Sequence, residues 1–514
     1  MTATAPSDVR PDPPGGADAA GLAGFGYRQE LHRSMGRYAS FAAGFSFISV
    51  LTTVFQFFAF GYSTGGPRFF WTWPAVLLGQ LLVAACFAEL AARYPLSGAV
   101  YQWSSRLGGR VLGWYAGWIM VLGQIVVVAA AALALQVVLP AVWSGFQLVG
   151  TDTSPVSSDG AANAAVLGIV LLAVTTAVNL LDNTVMSVVN RVGVTAEIAG
   201  AVLIVVLLFT HADRTPSVTV HGGGGTQALL VGSFAAAYVM IGFDSAGEMS
   251  EETRHPRRVA PRTILSALTA AGVLASLLVL AGLLAAPSLT DGRLGTDGLS
   301  YVLTSRLGGT LGRLLLCDVA LAVAVATLAI QTSATRMVFS MARDGALPCS
   351  GVLARVSPRT GQPAAPALVV GVLAAALLLL SFASPEAWLA IGTTCIAMLY
   401  LAYAMVTGPQ LLRRLRGGLP PGVDERGAPL FSLGRLGVPV NACALVYGLA
   451  MAVNLAWPRA AVYDPSGGHW YFQWFTLLFL LAAVALGVLW RAVRTRPGGK
   501  AWAAVVTAPA EPAP

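Results

Sequence analysis

The stretch Tyr238-Val-Met-Ile-Gly242-Phe243-Asp244-Ser-Ala-Gly247-Glu248-Met-Ser-Glu251-Glu252-Thr-Arg254-His-Pro256-Arg-Arg-Val-Ala-Pro261-Arg262 decides how the rest of the chain folds. It closes an apolar run that begins at Ala228, meets a glycine and then a carboxylate at lipid depth, and finishes among arginines and prolines. This pattern predicts an interrupted transmembrane helix. Irregular backbone and charge at that depth are tolerated only against protein or a water-filled cavity. Gly242 and Asp244 therefore mark a candidate functional site, and the neighbouring segments must supply the cavity.

Composition agrees with a membrane protein. Of 514 residues, 56% are hydrophobic and 11% charged, and the mean hydropathy is +0.71, more apolar surface than a soluble domain could bury. An all-α integral membrane protein is expected. Apolar runs of about 17–25 residues are long enough to cross a bilayer. They fall at 38–62, 73–92, 111–139, 164–181, 185–210, the interrupted 228–251, 263–286, 314–341, 363–382, 388–411, 438–457 and 471–490. About twelve transmembrane helices are therefore predicted over 37–492, between a disordered N-terminal tail at 1–36 and a C-terminal tail at 493–514. The N-terminal tail lacks the apolar core of a cleaved signal.

The cationic residues orient this bundle. Twenty-five of the 31 lie in the tails and the even-numbered connections, and 6 in the odd-numbered ones. By the positive-inside rule both termini are cytoplasmic, and the +8 net charge reports topology and not nucleic-acid affinity. The plasma (inner) membrane is the expected location. Trp71, Trp73, Trp143, Trp457, Trp470 and Trp490 sit at span ends, where an interfacial aromatic belt belongs.

An internal echo bears on architecture. Tyr101, Ser105, Arg106, Leu107, Gly108 and Gly109 recur as Tyr301, Ser305, Arg306, Leu307, Gly308 and Gly309, five spans later. An odd offset reverses orientation, as an inverted repeat of five plus five helices requires, with repeat one at about 38–210, repeat two at about 228–411 and two further helices at 438–490. Coincidence in a Gly-, Leu- and Arg-rich chain is the alternative. The first span of each half is irregular: Ser46, Ser49, Thr52 and Thr53 interrupt one, Gly242 and Asp244 the other.

Several blocks resemble the amino acid-polyamine-organocation (APC) permeases. They are Gly242-Phe-Asp-Ser-Ala with Glu251, Glu252, Pro256, Arg257 and Pro261; Phe87-Ala-Glu89-Leu-Ala with Arg93-Tyr-Pro95, Ser97, Gly98 and Tyr101; Ser63-Thr-Gly-Gly-Pro67; and Arg336-Met with Ala342-Arg-Asp-Gly-Ala-Leu-Pro348. The resemblance spans roughly residues 38–490, and the Phe45-to-Thr52 stretch is similar to the amino acid, GABA and choline branch. It implies a LeuT-type fold with broken helices 1 and 6 and alternating access. The implied substrate-binding positions are Leu51, Thr52 and Thr53 at the first break, Tyr238, Ile241 and Gly242 at the second, and Ile330 on the eighth span, with Thr332 and Ser333 as further hydroxyls. Amides at a half-helix N-terminus suit an anion. Alternatively, Thr52 and Thr53 bond back to the preceding turn, and Tyr238 only packs.

Asp244 occupies the acidic position of that resemblance and is a candidate coupling or proton-binding group. So is Glu197 in the fifth span, where a charge costs about 2.5–3.5 kcal/mol and must face the bundle or be protonated. Relatives with a fifth-span lysine place it near Gly200-Ala201 here, so the coupling ion stays open between a proton, the expected partner, and others. Glu89 and Arg93, one turn apart, read as a structural ion pair. Glu248 and Glu251 read as anchors of the inner half of helix 6.

The five histidines share no helix face and the five cysteines show no paired spacing, so no metal site, cofactor or disulfide framework is expected, nor an enzyme. Gly222 to Gly225 lacks the Lys-Ser/Thr of a phosphate cradle. The reading is secondary active uptake of amino acids or related small amines. Alternatives are a choline or polyamine permease, a substrate exchanger and, in other classes, a channel or a non-transporting sensor. Cysteines introduced at Ser157 and Ser217 should react with impermeant thiol reagents in whole cells and one at Ser350 should not; outside labelling at Ser350 would overturn the orientation.

Overall fold

A chain in lipid has no water to serve its peptide groups, so each long apolar run must close its own hydrogen bonds as a helix. The computed structural model describes residues 22–494 except 32, 34, 182, 221–224, 385–386, 418, 420–421, 424–426 and 465–466. Most of the expected tails, at 1–21 and 495–514, lie outside the described residues. Within them the fold is all-helical, with two isolated β-bridges as the only extended pairings.

The principal helices are α1 (Arg37–Ile48), α2 (Val50–Gly65), α3 (Thr72–Arg93), α4 (Ala99–Gly108), α5 (Arg110–Ala132), α6 (Ser158–Asn179), α7 (Asn183–Thr210) and α8 (Thr226–Val239). They continue as α9 (Ser245–Glu248), α10 (Pro256–Ala285), α11 (Gly298–Arg343), α12 (Ala364–Leu378), α13 (Ala387–Leu415), α14 (Gly437–Ala456) and α15 (Phe475–Arg494). By length and apolarity, ten helical units among the described residues could cross a membrane. The first and second expected spans merge into one kinked unit, Arg37–Arg93. The expected sixth is divided, α8 contributing an apolar helix of 14 residues and α9 a single turn.

The core packs α13 against α5 and α14, α10 against α3, α8 against α2, and α11 against α5 and α7. Burial separates inner from outer helices: 83% of the apolar window of α13 is buried, against 28% for α14 and 17% for α15. Helices near the C-terminus therefore flank the bundle and do not build its centre.

The echo in the sequence has a structural counterpart. Gly98 (φ 78°) and Gly298 (φ 56°) each head a helix of about ten residues. Those helices end at Gly109 (φ 90°, ψ 164°) and Gly308 (φ 78°, ψ 165°), each opening directly into a long helix. The hinge has slipped by one residue relative to the sequence match. Each short helix is pinned through its tyrosine: Tyr101 donates to Asp344 Oδ2 (2.9 Å) and Tyr301 to Asp291 Oδ2 (2.8 Å).

One end of the bundle is closed by ion pairs. Arg336 and Glu252, both almost fully buried, meet at 2.7 Å, and Arg343 makes a two-pronged contact with Glu251 at 2.8 and 2.9 Å. Glu89 pairs with Arg93 at 3.0 Å as expected, and also with Arg414 from α13. The described residues between 22 and 36, expected as part of the tail, lie against this end: Leu22 and Leu31 are buried, Met35 N–H donates to Glu252 O (3.0 Å), and Tyr27 donates to Asp344 (3.0 Å). Their apolar anchors are spaced too far apart to register as a helix or strand. Burial pushes the Asp344 carboxyl above its ordinary range, while hydrogen bonds from Tyr101 and the Arg343 charge pull the other way.

Arg336→Leu should cost about 3–5 kcal/mol, because it strands the Glu252 carboxylate in the interior. Arg336→Leu/Glu252→Leu should recover most of that loss. Thermal unfolding of the detergent-purified protein measures both; equal loss in single and double variants would contradict the assignment.

Candidate functional site

The first break lies at Ser49, two to four residues before the expected Leu51-Thr52-Thr53. Ser49 takes φ 39° and ψ 93°, its N–H closing the last turn of α1 on Phe45 O, and α2 restarts at Val50. The displacement has a physical cause in Glu197, which reaches across from α7. Its Oε1 accepts from the Leu51 N–H (3.3 Å) and from Ser49 Oγ (2.8 Å). A carboxylate thus meets the first free amides of α2, where the half-helix dipole favours negative charge. Ser49 Oγ also lies 2.6 Å from Thr52 Oγ1, and Thr53 Oγ1 donates back to Ser49 O (2.6 Å).

The second break spans Met240 to Asp244. Gly242 takes φ 85°, and its N–H donates to Tyr403 Oη at 3.0 Å. The same phenol donates to Asp244 Oδ1 at 2.5 Å, while Asp244 O accepts from the Gly247 and Glu248 amides to start α9. Tyr403 of α13 is thus a clamp on both sides of the break. It was not singled out from the sequence, because an aromatic in a long apolar run carries no local sign of a polar partner 159 residues away.

Between the two breaks lies a pocket with room for about one water. Phe47, Ser49, Thr52 and Thr53 line it from the first helix, Val127 and Ala131 from α5, Tyr238 and Ile241 from the end of α8, and Ala326 and Ile330 from α11. Thr52, Thr53, Tyr238, Ile241 and Ile330 are thus brought together. The Tyr238 hydroxyl is buried with no hydrogen-bond partner, its ring 4.7 Å from that of Phe57. Leu51 contributes its backbone to Glu197, with its side chain buried outside the lining.

Gly242 does not line the pocket either. A Cβ there would lie 1.7 Å from Phe47 Cδ1, so the absent side chain makes room for the Phe47 ring. Asp244 and Glu197 stand behind the walls, and each keeps one buried oxygen without a partner, Oδ2 and Oε2. Thr332 is turned to Asn179 Oδ1 (2.8 Å), and Ser333 to Glu248, which also accepts from Gln124 at 2.8 Å. Among the described residues no charged side chain lines the pocket.

A family model described as amino acid permease matches residues 39–484. Among curated proteins, an amino-acid permease of Arabidopsis thaliana is 27% identical over 85% of this chain and 87% of its own length. A thiamine transporter of Schizosaccharomyces pombe is 25% identical over 86% of this chain and 80% of its own. A methylthioribose transporter of Bacillus subtilis is 25% identical over 61% of this chain and 67% of its own.

Gly242→Val should abolish the native break, for it meets the Phe47 ring and imposes a positive φ on a β-branched residue, a penalty of at least 1–2 kcal/mol, roughly. Phe47→Ala added to it should relieve the clash but not the backbone strain. Fluorescence-monitored gel filtration reports both; a monodisperse Gly242→Val protein with wild-type stability would refute the constraint.

Proposed function

Since the chain belongs to the amino acid permease family, and so is a multi-pass membrane transporter of amino acids or small organic molecules and not an enzyme, we propose that it takes up an amino acid or related small amine by alternating access. The observation that carries this reading is the hydroxyl-bearing pocket between two broken helices, the arrangement in which secondary transporters hold substrate near the midplane. Space for about one water means the pocket must widen to admit a solute, which fits an occluded state. The hinge pairs Gly98/Gly109 and Gly298/Gly308 support an inverted five-plus-five repeat within about twelve spans. The inner membrane with cytoplasmic termini is the location that the arginine distribution supports.

Thr52, Thr53 and Tyr238 are the polar substrate contacts in this reading, with Ile241 and Ile330 as apolar walls. With no charge in the lining, a small zwitterion held by hydroxyls and backbone fits better than a polycation, which would need facing carboxylates. Glu197 and Asp244 lie close behind and are the proton-binding groups, able to take up a proton without contacting the cargo. Proteoliposomes given a panel of radiolabelled amino acids and amines, with and without imposed proton or sodium gradients, identify cargo and coupling together. Tyr238→Phe should then raise KM roughly five- to tenfold, the equivalent of one hydrogen bond of about 1 kcal/mol. An unchanged KM removes Tyr238 from the binding site, and uptake of nothing in the panel sinks the substrate class.

A further inference from the structure

A second ionisable residue lies in the outer half of the helix that faces Glu197. Asp318 is ten residues beyond the Gly308 hinge on α11, about 15 Å along the helix axis, and is half-buried. Its Oδ2 is buried without a hydrogen-bond partner. Antiparallel packing of α7 on α11 fixes its neighbour: Gly193 meets Val325, and seven residues on, Gly200 meets Asp318. A Cβ at Gly200 would lie 1.7 Å from Asp318 Oδ2, so the carboxyl occupies the space that a side chain would fill. Gly200 is one helical turn from Glu197, so the two acids stand along the same stretch of the α7–α11 contact.

From Glu197 the polar path continues inward. Ser49 Oγ, 2.8 Å from Glu197 Oε1, is 2.6 Å from Thr52 Oγ1, and both hydroxyl residues line the pocket. A serine hydroxyl can accept from one neighbour while donating to another, which lets a proton pass along such a chain. Of the titratable groups at this place, α7 presents Glu197 and α11 presents Asp318. The broken first helix presents the Ser49 and Thr52 hydroxyls and the Val50 and Leu51 amides. Glu197, 1% exposed, keeps Oε2 unpartnered, as Asp318 keeps Oδ2.

We propose that Asp318 and Glu197 form a two-carboxyl proton relay, Asp318 being the outer station that loads Glu197 and, through Ser49, reports its charge to the substrate pocket. The step is a proton transfer alone: the O–H bond on Asp318 breaks as one forms on Glu197, and the negative charge moves the other way. It deepens the coupling role given to Glu197 above and rests on that role. Gly200 is then the spacer that admits Asp318 between the helices.

Dicyclohexylcarbodiimide tests the relay without knowledge of the cargo, because it adds only to protonated carboxyls in apolar surroundings, the acid proton passing to its nitrogen as the acyl oxygen bonds its carbon. In the purified full-length protein, mapped by mass spectrometry, it should label Asp318 and lose reactivity as pH rises. Glu197→Gln should move that pH transition by about one unit, as coupled sites do. No labelling of Asp318, or the same profile with and without Glu197, overturns the proposal. Transport of whichever compound the panel selects supplies the second arm. Asp318→Asn, and equally Gly200→Ala, which displaces the carboxyl and keeps both acids, should lose proton-driven accumulation but retain counterflow, with Asp318→Glu restoring it. Wild-type accumulation by Asp318→Asn refutes the relay alone. Wild-type accumulation by Glu197→Gln refutes the coupling role beneath it, and the relay with it.

Discussion

Peptide groups freed by a helix break cannot be left bare at membrane depth, and the centre of this protein is arranged around that constraint. At the first break the amide of Leu51 finds the carboxylate of Glu197, and at the second the amide of Gly242 finds the phenol of Tyr403. Both partners come from helices outside the broken pair, α7 and α13. Opening either break therefore pulls on a neighbouring helix. The interaction that makes irregular backbone tolerable also makes its movement collective, which is how a small shift at a site becomes movement of whole elements.

Much of the bundle was legible because lipid imposes one rule on sequence. Apolar runs such as 164–181 and 438–457 had no alternative to helix, and Gly242 beside Asp244 announced its interruption. The Glu89–Arg93 pair was legible because its partners share a helix face. The first break was misplaced because serine and threonine at 46, 49, 52 and 53 are equivalent in pattern. What selects Ser49 is Glu197, 148 positions away, and no local propensity encodes that distance. Tyr403, Phe47 and residues 22–36 were missed for the same reason, since each acts through a contact that only the assembled bundle creates. Gly242, expected among the lining residues, lies behind the pocket, where its missing side chain makes room for Phe47.

The two ends of the bundle differ in kind. One is held by desolvated ion pairs, Arg336 with Glu252 and Arg343 with Glu251, over which the described residues between 22 and 36 are laid. At the other, the exposed Arg293 meets the partly exposed Asp291, which also accepts from the buried Tyr301, and the Asp291 carboxyl is held well below its usual range by hydrogen bonds from Arg293. Exposed pairs are screened by salt and exchange readily with water, whereas buried ones must be broken nearly whole. The end held by the buried pairs is the costlier one to open from this conformation.

Ala131 and Ala326 face the pocket from α5 and α11, neither of which is broken there. Exchanging either for a larger or a smaller side chain would reshape the pocket while leaving Ser49, Glu197, Gly242 and Tyr403 as they are. The Ala131 and Ala326 side of the pocket and the contacts that hold the breaks are thus written in separate residues, while Ser49 belongs to both lining and break. Single substitutions on this plan can therefore change the shape of the pocket with the contacts at both breaks intact.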